Sequence, residues 1–115
     1  MRPICFLLLI VITAGCSEIK DMKYRQAVLA DMARTNAAPG EVVAALPGNW
    51  IKHTKDSERG KAFGEWLAKN RSQDLIPAQK AWLDSDFALY HTSESVVTIV
   101  FIKTNVVVQY YVGIQ

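Results

Sequence analysis

Cysteine is scarce in this chain, and its placement excludes more than its number does. There are two, Cys5 and Cys16, both near the start of the 115 residues. Everything beyond Cys16 therefore lacks a disulfide, a free thiol and a cysteine metal ligand. Small exported domains commonly lean on disulfides; this one has to hold together by its core. Histidine is equally sparse, with only His53 and His91. A metal site needs three or four ligands at suitable spacing, so neither a metal nor a cofactor is expected. A phosphate-cradling loop is missing too, because Gly60 and Gly64 fall inside a helical pattern without the rest of that motif. Basic runs interleaved with aromatics are absent, which argues against nucleic acid as a partner. The longest apolar run, Ile4 to Ile12, falls short of the roughly 20 residues that span a bilayer.

What the N-terminus does have is a pattern. Arg2 supplies one positive charge, the apolar run follows, and the small residues Ala14 and Gly15 precede Cys16. A short apolar core with a charged flank and a small-residue end marks a cleaved secretory signal. The stretch Ile12-Thr13-Ala14-Gly15-Cys16 resembles the lipobox of bacterial lipoproteins, with Thr13 where that family usually carries leucine. The resemblance implies a thioether-linked diacylglycerol on Cys16, cleavage between Gly15 and Cys16, and acylation of the new amine. It also implies a periplasm-facing protein of the cell envelope, lipid-anchored to a membrane. In enteric-type lipoproteins a serine after the cysteine resembles the outer-membrane class, and here that residue is Ser17. The chain then divides into a signal peptide at 1–15, a lipidated tether at 16–20 and one small domain at 21–115.

That domain reads as α+β, with N-terminal helices followed by a C-terminal antiparallel meander of about three strands. Residues 21–35 form a helix by spacing, with Tyr24, Val28 and Met32 as its apolar stripe and Met22, Leu29 and Ala33 beside them. Asn36-Ala37-Ala38-Pro39-Gly40 stops it. Residues 41–46 fit a helical turn or an extended piece equally well, and residues 50–54 fit a short strand. Asp56-Ser57 begins a second helix that runs to near Arg71, with Phe63, Trp66 and Leu67 inward. Pro77 opens a third, through Leu83, with Ala78, Ala81 and Trp82 inward. From Phe87 the period becomes two. Strands are expected at 87–90, 96–103 and 106–112, with a polar turn at 92–95 and a tight hairpin at Thr104-Asn105.

The two long strands are apolar on both faces, so both faces need cover. The expectation is that the helices cover one face, leaving the other to the segment at Trp50, a partner or lipid. Trp50, Trp66 and Trp82 are expected to meet under the sheet. Tyr110 and Tyr111 occupy opposite faces of the last strand, so one should point away from the helices. Between Asn105 and Gln115 no charge or proline guards that strand against edge pairing. With no later element to close the sheet, an edge there is expected either to be covered by residues 50–54 as an extra strand or to recruit a partner or a second copy. Trp50, Tyr110 and Tyr111 are thus the candidate partner surface.

Two stretches could carry chemistry. His53-Thr54-Lys55-Asp56-Ser57 and His91-Thr92-Ser93-Glu94-Ser95 each hold a base, an acid and a hydroxyl. Such groups act only when nucleophile, base and orienter converge in space, and both stretches also read as turns or caps. Asp84 and Asp86 could pair for glycoside cleavage but read first as turn formers. The expected class is a non-enzymatic binding or assembly protein of the envelope, of the pilotin, exclusion, immunity or inhibitor kind. The alternatives are a small periplasmic hydrolase using His53 or His91, and a purely structural lipoprotein.

Overall fold

The computed structural model describes residues 2–70 and 73–114, giving only the backbone course for residues 2–16. The expected lipidation and cleavage positions, Gly15 and Cys16, therefore fall outside the residues whose side chains are described. The elements are α1 (Arg2–Arg34), α2 (Pro39–Ala45), β1 (Ile51–Thr54), α3 (Glu58–Lys69), a 3-10 turn (Gln73–Leu75), α4 (Ile76–Asp84), β2 (Phe87–Ser93), β3 (Val96–Lys103) and β4 (Val106–Ile114).

Helix α1 takes in Ser17 to Lys20, so the expected tether is helical and continuous with the domain. It stops where Asn36 turns to a left-handed φ of 55°. The Ala37 N–H then donates to the Met32 carbonyl at 2.9 Å, the closing bond of a Schellman motif. Pro39 opens α2, where its missing N–H costs nothing. The Glu41 carboxylate accepts from the Ala38 N–H at 2.7 Å. The undecided stretch at 41–46 is thus largely helical, and it inserts Val42 and Leu46 into the core.

The four strands form one antiparallel sheet in the order β1-β2-β3-β4. The meander β2-β3-β4 stands as expected. Thr104 and Asn105 both take positive φ, at 54° and 62°, giving the primed turn whose twist suits a hairpin. The β2–β3 turn needs only Glu94 and Ser95, so β2 runs to Ser93 rather than Tyr90. Segment Ile51–Thr54 pairs with β2, on the far side of the sheet from β4.

One expectation is overturned here. The helices cover both faces, because they divide between them. Helices α1 and α2 pack with Leu89, Val96, Val100, Ile102, Val107 and Val112. Helices α3 and α4 pack with Ala88, Val97, Ile99 and Phe101. The sheet also separates the tryptophans, leaving Trp50 on the α1 side and Trp66 and Trp82 on the other. Tyr110 and Tyr111 do take opposite faces, but each meets a helical layer and both are half-buried.

Helix α3 begins as its sequence implies, with the Ser57 hydroxyl accepting from the Gly60 N–H at 2.9 Å. Its inward face holds Phe63 and Leu67, while Trp66 stays half-buried. Leu67→Ala should cost about 2–5 kcal/mol, the range for emptying a closed core position. Leu83, 79% exposed on α4, is the control; its alanine variant should stay within about 0.5 kcal/mol. Urea unfolding of the full chain in detergent reads both.

Candidate functional site

Spacing placed most of the inward face of α1, since Met22, Val28, Met32 and Ala33 pack against the core with Leu29, but it misplaced two residues. Tyr24 is 59% exposed, whereas Leu29 is fully buried and Arg25 is nearly so. Arg25 was missed because a charge is rarely assigned to a buried face. It is held by neighbours on both sides. Its Nε donates to both Asp21 oxygens at 3.2 Å, one helical turn earlier. Its Nη1 lies 3.4 Å from Thr98 Oγ1 and 3.3 Å from His91 Nδ1. A guanidinium has no lone pair to offer, so Nδ1 must accept and the His91 proton sits on Nε2. His91 also lies 5.1 Å from the Trp50 ring, centroid to centroid. Gly48, at φ 154°, passes so close that an added Cβ would come within 2.2 Å of His91 Nε2. The Trp50 indole N–H donates inward to the Leu46 carbonyl at 2.8 Å.

His53 lies on the opposite face. It stacks on Phe63 at 4.6 Å and 10° and meets Tyr90 edge-on at 5.9 Å. Its Nδ1 is buried without a hydrogen-bond partner. Among the described residues, no hydrogen bond joins either imidazole to a serine, aspartate or glutamate. Asp84 pairs with Lys103 at 2.7 Å, and Asp86 accepts from the Thr104 N–H at 2.8 Å. Both thus clamp the β3–β4 hairpin.

The third feature follows the outer edge of β4. A cleft of about 660 Å³ is lined by Met22 and Gln26 of α1, by Gln73, Asp74 and Pro77, and by every residue from Tyr110 to Ile114. Consecutive strand residues point to alternate faces. They can line one cavity only if it lies against the strand's edge, so the edge is the floor and the two helical layers are the walls. Among the described residues no strand pairs there.

Three bonds from the chain itself touch this edge. The Val107 N–H donates to the Ala37 carbonyl at 2.9 Å. The Tyr110 N–H donates to Gln109 Oε1 at 3.1 Å, and Gln26 Nε2 donates to the Val112 carbonyl at 3.2 Å. The last two are side-chain amides standing where a neighbouring strand would place its C=O and N–H. Gly113 lets the Tyr111 hydroxyl fold back, since an added Cβ would lie 2.2 Å from it. Burial, and secondarily the charge of Asp74, push the Tyr111 phenol up, so it stays protonated at neutral pH. Asp74 has no ion pair among the described residues.

The structure thus brings Tyr110 and Tyr111 into one cleft and sets Trp50 apart, beside His91. The cleft walls could not be read from sequence, because Gln26 and Val112 are 86 residues apart. Comparison with known proteins finds no family model, no curated protein and no solved structure that matches this chain.

Both imidazoles sit below their ordinary pKa of 6.5, and burial is the first cause in each. The charge of Arg59 adds to it at His53; that of Arg25 adds at His91, where Asp21 opposes. The unfolded chain then takes up protons before the folded one does. Stability is full above the ordinary imidazole value and falls as pH drops below it, until the folded imidazoles protonate. Thermal unfolding of the full chain should therefore shift down between about pH 7 and pH 5. His91→Asn should flatten part of that slope, and an unchanged slope would mean His91 does not contribute.

Proposed function

We propose that this chain is a lipid-anchored bacterial envelope protein whose domain binds an extended segment of a protein partner along β4, without catalysing a reaction. The location rests on the resemblance of residues 12–16 to a lipobox, with Ser17 favouring the outer membrane. Among the described residues no helix is long and apolar enough to cross a membrane, and a lipid on Cys16 would supply the attachment. The task rests on one observation, the unpaired β4 edge lying at the floor of a two-walled cleft. Strand addition draws affinity from backbone bonds and selectivity from pockets for alternate side chains. Here the Gln26 and Gln109 amides already mark the bonding positions.

The walls favour an extended peptide over a second copy of the domain. Another β4 would bring its own flanking helices, and the two sets of walls would collide. The peptide's chemistry follows from the lining. Apolar side chains would pack against Met22 and Ile114, and a lysine or arginine would reach Asp74, which has no ion pair among the described residues. The hydrolase reading has less support, because His91 Nδ1 is committed to Arg25.

Two measurements test the proposal. Intact-mass analysis of membrane-extracted protein should find Cys16 as an acylated N-terminus, and Cys16→Ser should release the protein from the membrane. Two or more acyl chains anchor firmly because each buried CH₂ contributes about 0.8 kcal/mol. An unmodified chain beginning at Met1 would refute the anchor. For the cleft, a displayed library of short linear peptides is screened against the full chain in detergent. Binders should slow hydrogen exchange along Tyr110 to Ile114 and lose about tenfold affinity on N-methylation of one central amide. Asp74→Asn should remove any preference for basic residues. Binders that protect other segments instead, or none at all, would sink the strand-addition reading.

A further inference from the structure

A separate cavity of about 350 Å³ lies between α3 and the β1–β2 side of the sheet, lined by His53, Arg59, Ala62, Phe63, Trp66 and Tyr90. It sits at the opposite sheet edge from the β4 cleft and shares no lining residue with it. Its wall is an aromatic cluster. Phe63 is the hub, stacked on His53 at 4.6 Å, 6.1 Å from Trp66 and 6.1 Å from Tyr90. Phe63 is closed into the core, while Trp66 and Tyr90 remain half-open to the cavity.

Charge in this cavity is one-sided. Arg59 is the only lining residue with a formal charge at neutral pH once His53 is neutral, and the guanidinium has no ion pair among the described residues. An exposed arginine over aromatic walls is the usual chemistry for a planar anion, because the guanidinium offers a bidentate fork to a carboxylate. His53 adds a polar group without a second charge, since burial and the Arg59 charge hold it below the usual range. Its Nδ1 is buried with no partner, a condition rare enough in folded proteins to call for an explanation. Size narrows the ligand further. Ligand sites commonly run from about 300 to 1,000 Å³, and this one, at about 350 Å³, matches a single ring with a short substituent.

We propose that this cavity binds a free small aromatic carboxylate, its ring against Trp66 and Tyr90 and its carboxylate on the Arg59 guanidinium. The site is independent of the β4 cleft, so the fate of one reading does not decide the other.

The test uses the full chain in detergent micelles and three probes: benzoate, benzamide and cyclohexanecarboxylate. Benzamide keeps the ring and removes the charge, and cyclohexanecarboxylate keeps the charge and removes the aromatic face. Benzoate should bind saturably by calorimetry and shift the NMR signals of Trp66 and His53. The other two should bind at least about tenfold more weakly. Arg59→Gln should weaken benzoate by about tenfold while leaving the unfolding midpoint in place, because Arg59 is exposed and unpaired. Leu83→Ala, at an exposed position that lines neither cavity, should leave the benzoate affinity unchanged. The proposal is overturned if benzoate fails to saturate, if benzamide binds equally well, or if Arg59→Gln has no effect. It is also overturned if a short peptide ending in a free phenylalanine carboxylate shifts Trp66 and benzoate does not, which would assign the cavity to a polypeptide C-terminus.

Discussion

Strand β3 governs this architecture. Every residue from Val96 to Ile102 is buried, so the strand carries apolar side chains to both faces of the sheet. Val97, Ile99 and Phe101 face one way, and Val96, Val100 and Ile102 the other. Leaving the first three in water would forfeit roughly 5–9 kcal/mol, at about 1.5–3 kcal/mol for each side chain. That is as large as the whole stability of an ordinary domain, about 5–15 kcal/mol. A second helical layer is therefore obligatory. The chain supplies it by crossing the sheet edge: β1 follows α2 on one face and leads into α3 on the other. The crossing puts β1 at one edge and leaves β4 at the other.

This explains what the sequence could and could not convey. Local signals were readable because their physics is local. The Ser57 cap, the Thr104-Asn105 turn, the proline start of α4 and the period-two strands all depend on neighbours a few residues apart. Periodicity also shows which residues of a helix share a side. It does not tell which face of the sheet that side will meet, so the division of helices between two layers stayed hidden, and with it the parting of Trp50 from Trp66 and Trp82. On α1 the spacing missed one buried residue for another reason. Arg25 is buried because Asp21, Thr98 and His91 satisfy it, and two of these partners lie more than sixty residues away. A buried charge becomes legible only when its partners do. The candidate sites divide the same way. Tyr110 and Tyr111 could be singled out on their strand, but the walls that make a cleft around them come from α1 and from the segment Gln73–Pro77.

The two sheet edges are not equivalent, and the difference bears on which one a partner would use. Strand β1 is four residues long and carries Lys52, whose ammonium lies 4.3 Å from the Phe87 ring centroid. Short length and a lysine are common means of discouraging edge pairing. Strand β4 is nine residues long and has no charged residue. Its protection comes from the Ala37 carbonyl and from two glutamine side chains. The backbone bond from Ala37 is fixed by the α1–α2 connection, whereas a glutamine amide can rotate aside at the cost of one hydrogen bond, roughly 0.5–1.5 kcal/mol net. An incoming strand replaces that bond with one of its own. The edge is thus closed to casual pairing near Val107 and open to exchange between Tyr110 and Ile114.

The proposed anchor and the cleft would then be joined by geometry. Helix α1 is continuous from Ser17 through Met22 and Gln26, so no slack separates the proposed lipid site from the cleft wall. At about 1.5 Å per residue, Met22 lies only about 9 Å along the helix from Cys16. The register of β4 on β3 places Ile114 beside Val96, next to the β2–β3 turn, and Ser17 and Glu18 line a pocket with Ser93, Glu94 and Val96. The cleft therefore opens at the end of the domain nearest the proposed anchor. A lipid on Cys16 would hold that end against the bilayer, and the segments able to reach the β4 edge would be those emerging from or lying along the same membrane. Membrane attachment, on this reading, selects the partner as much as the cleft does.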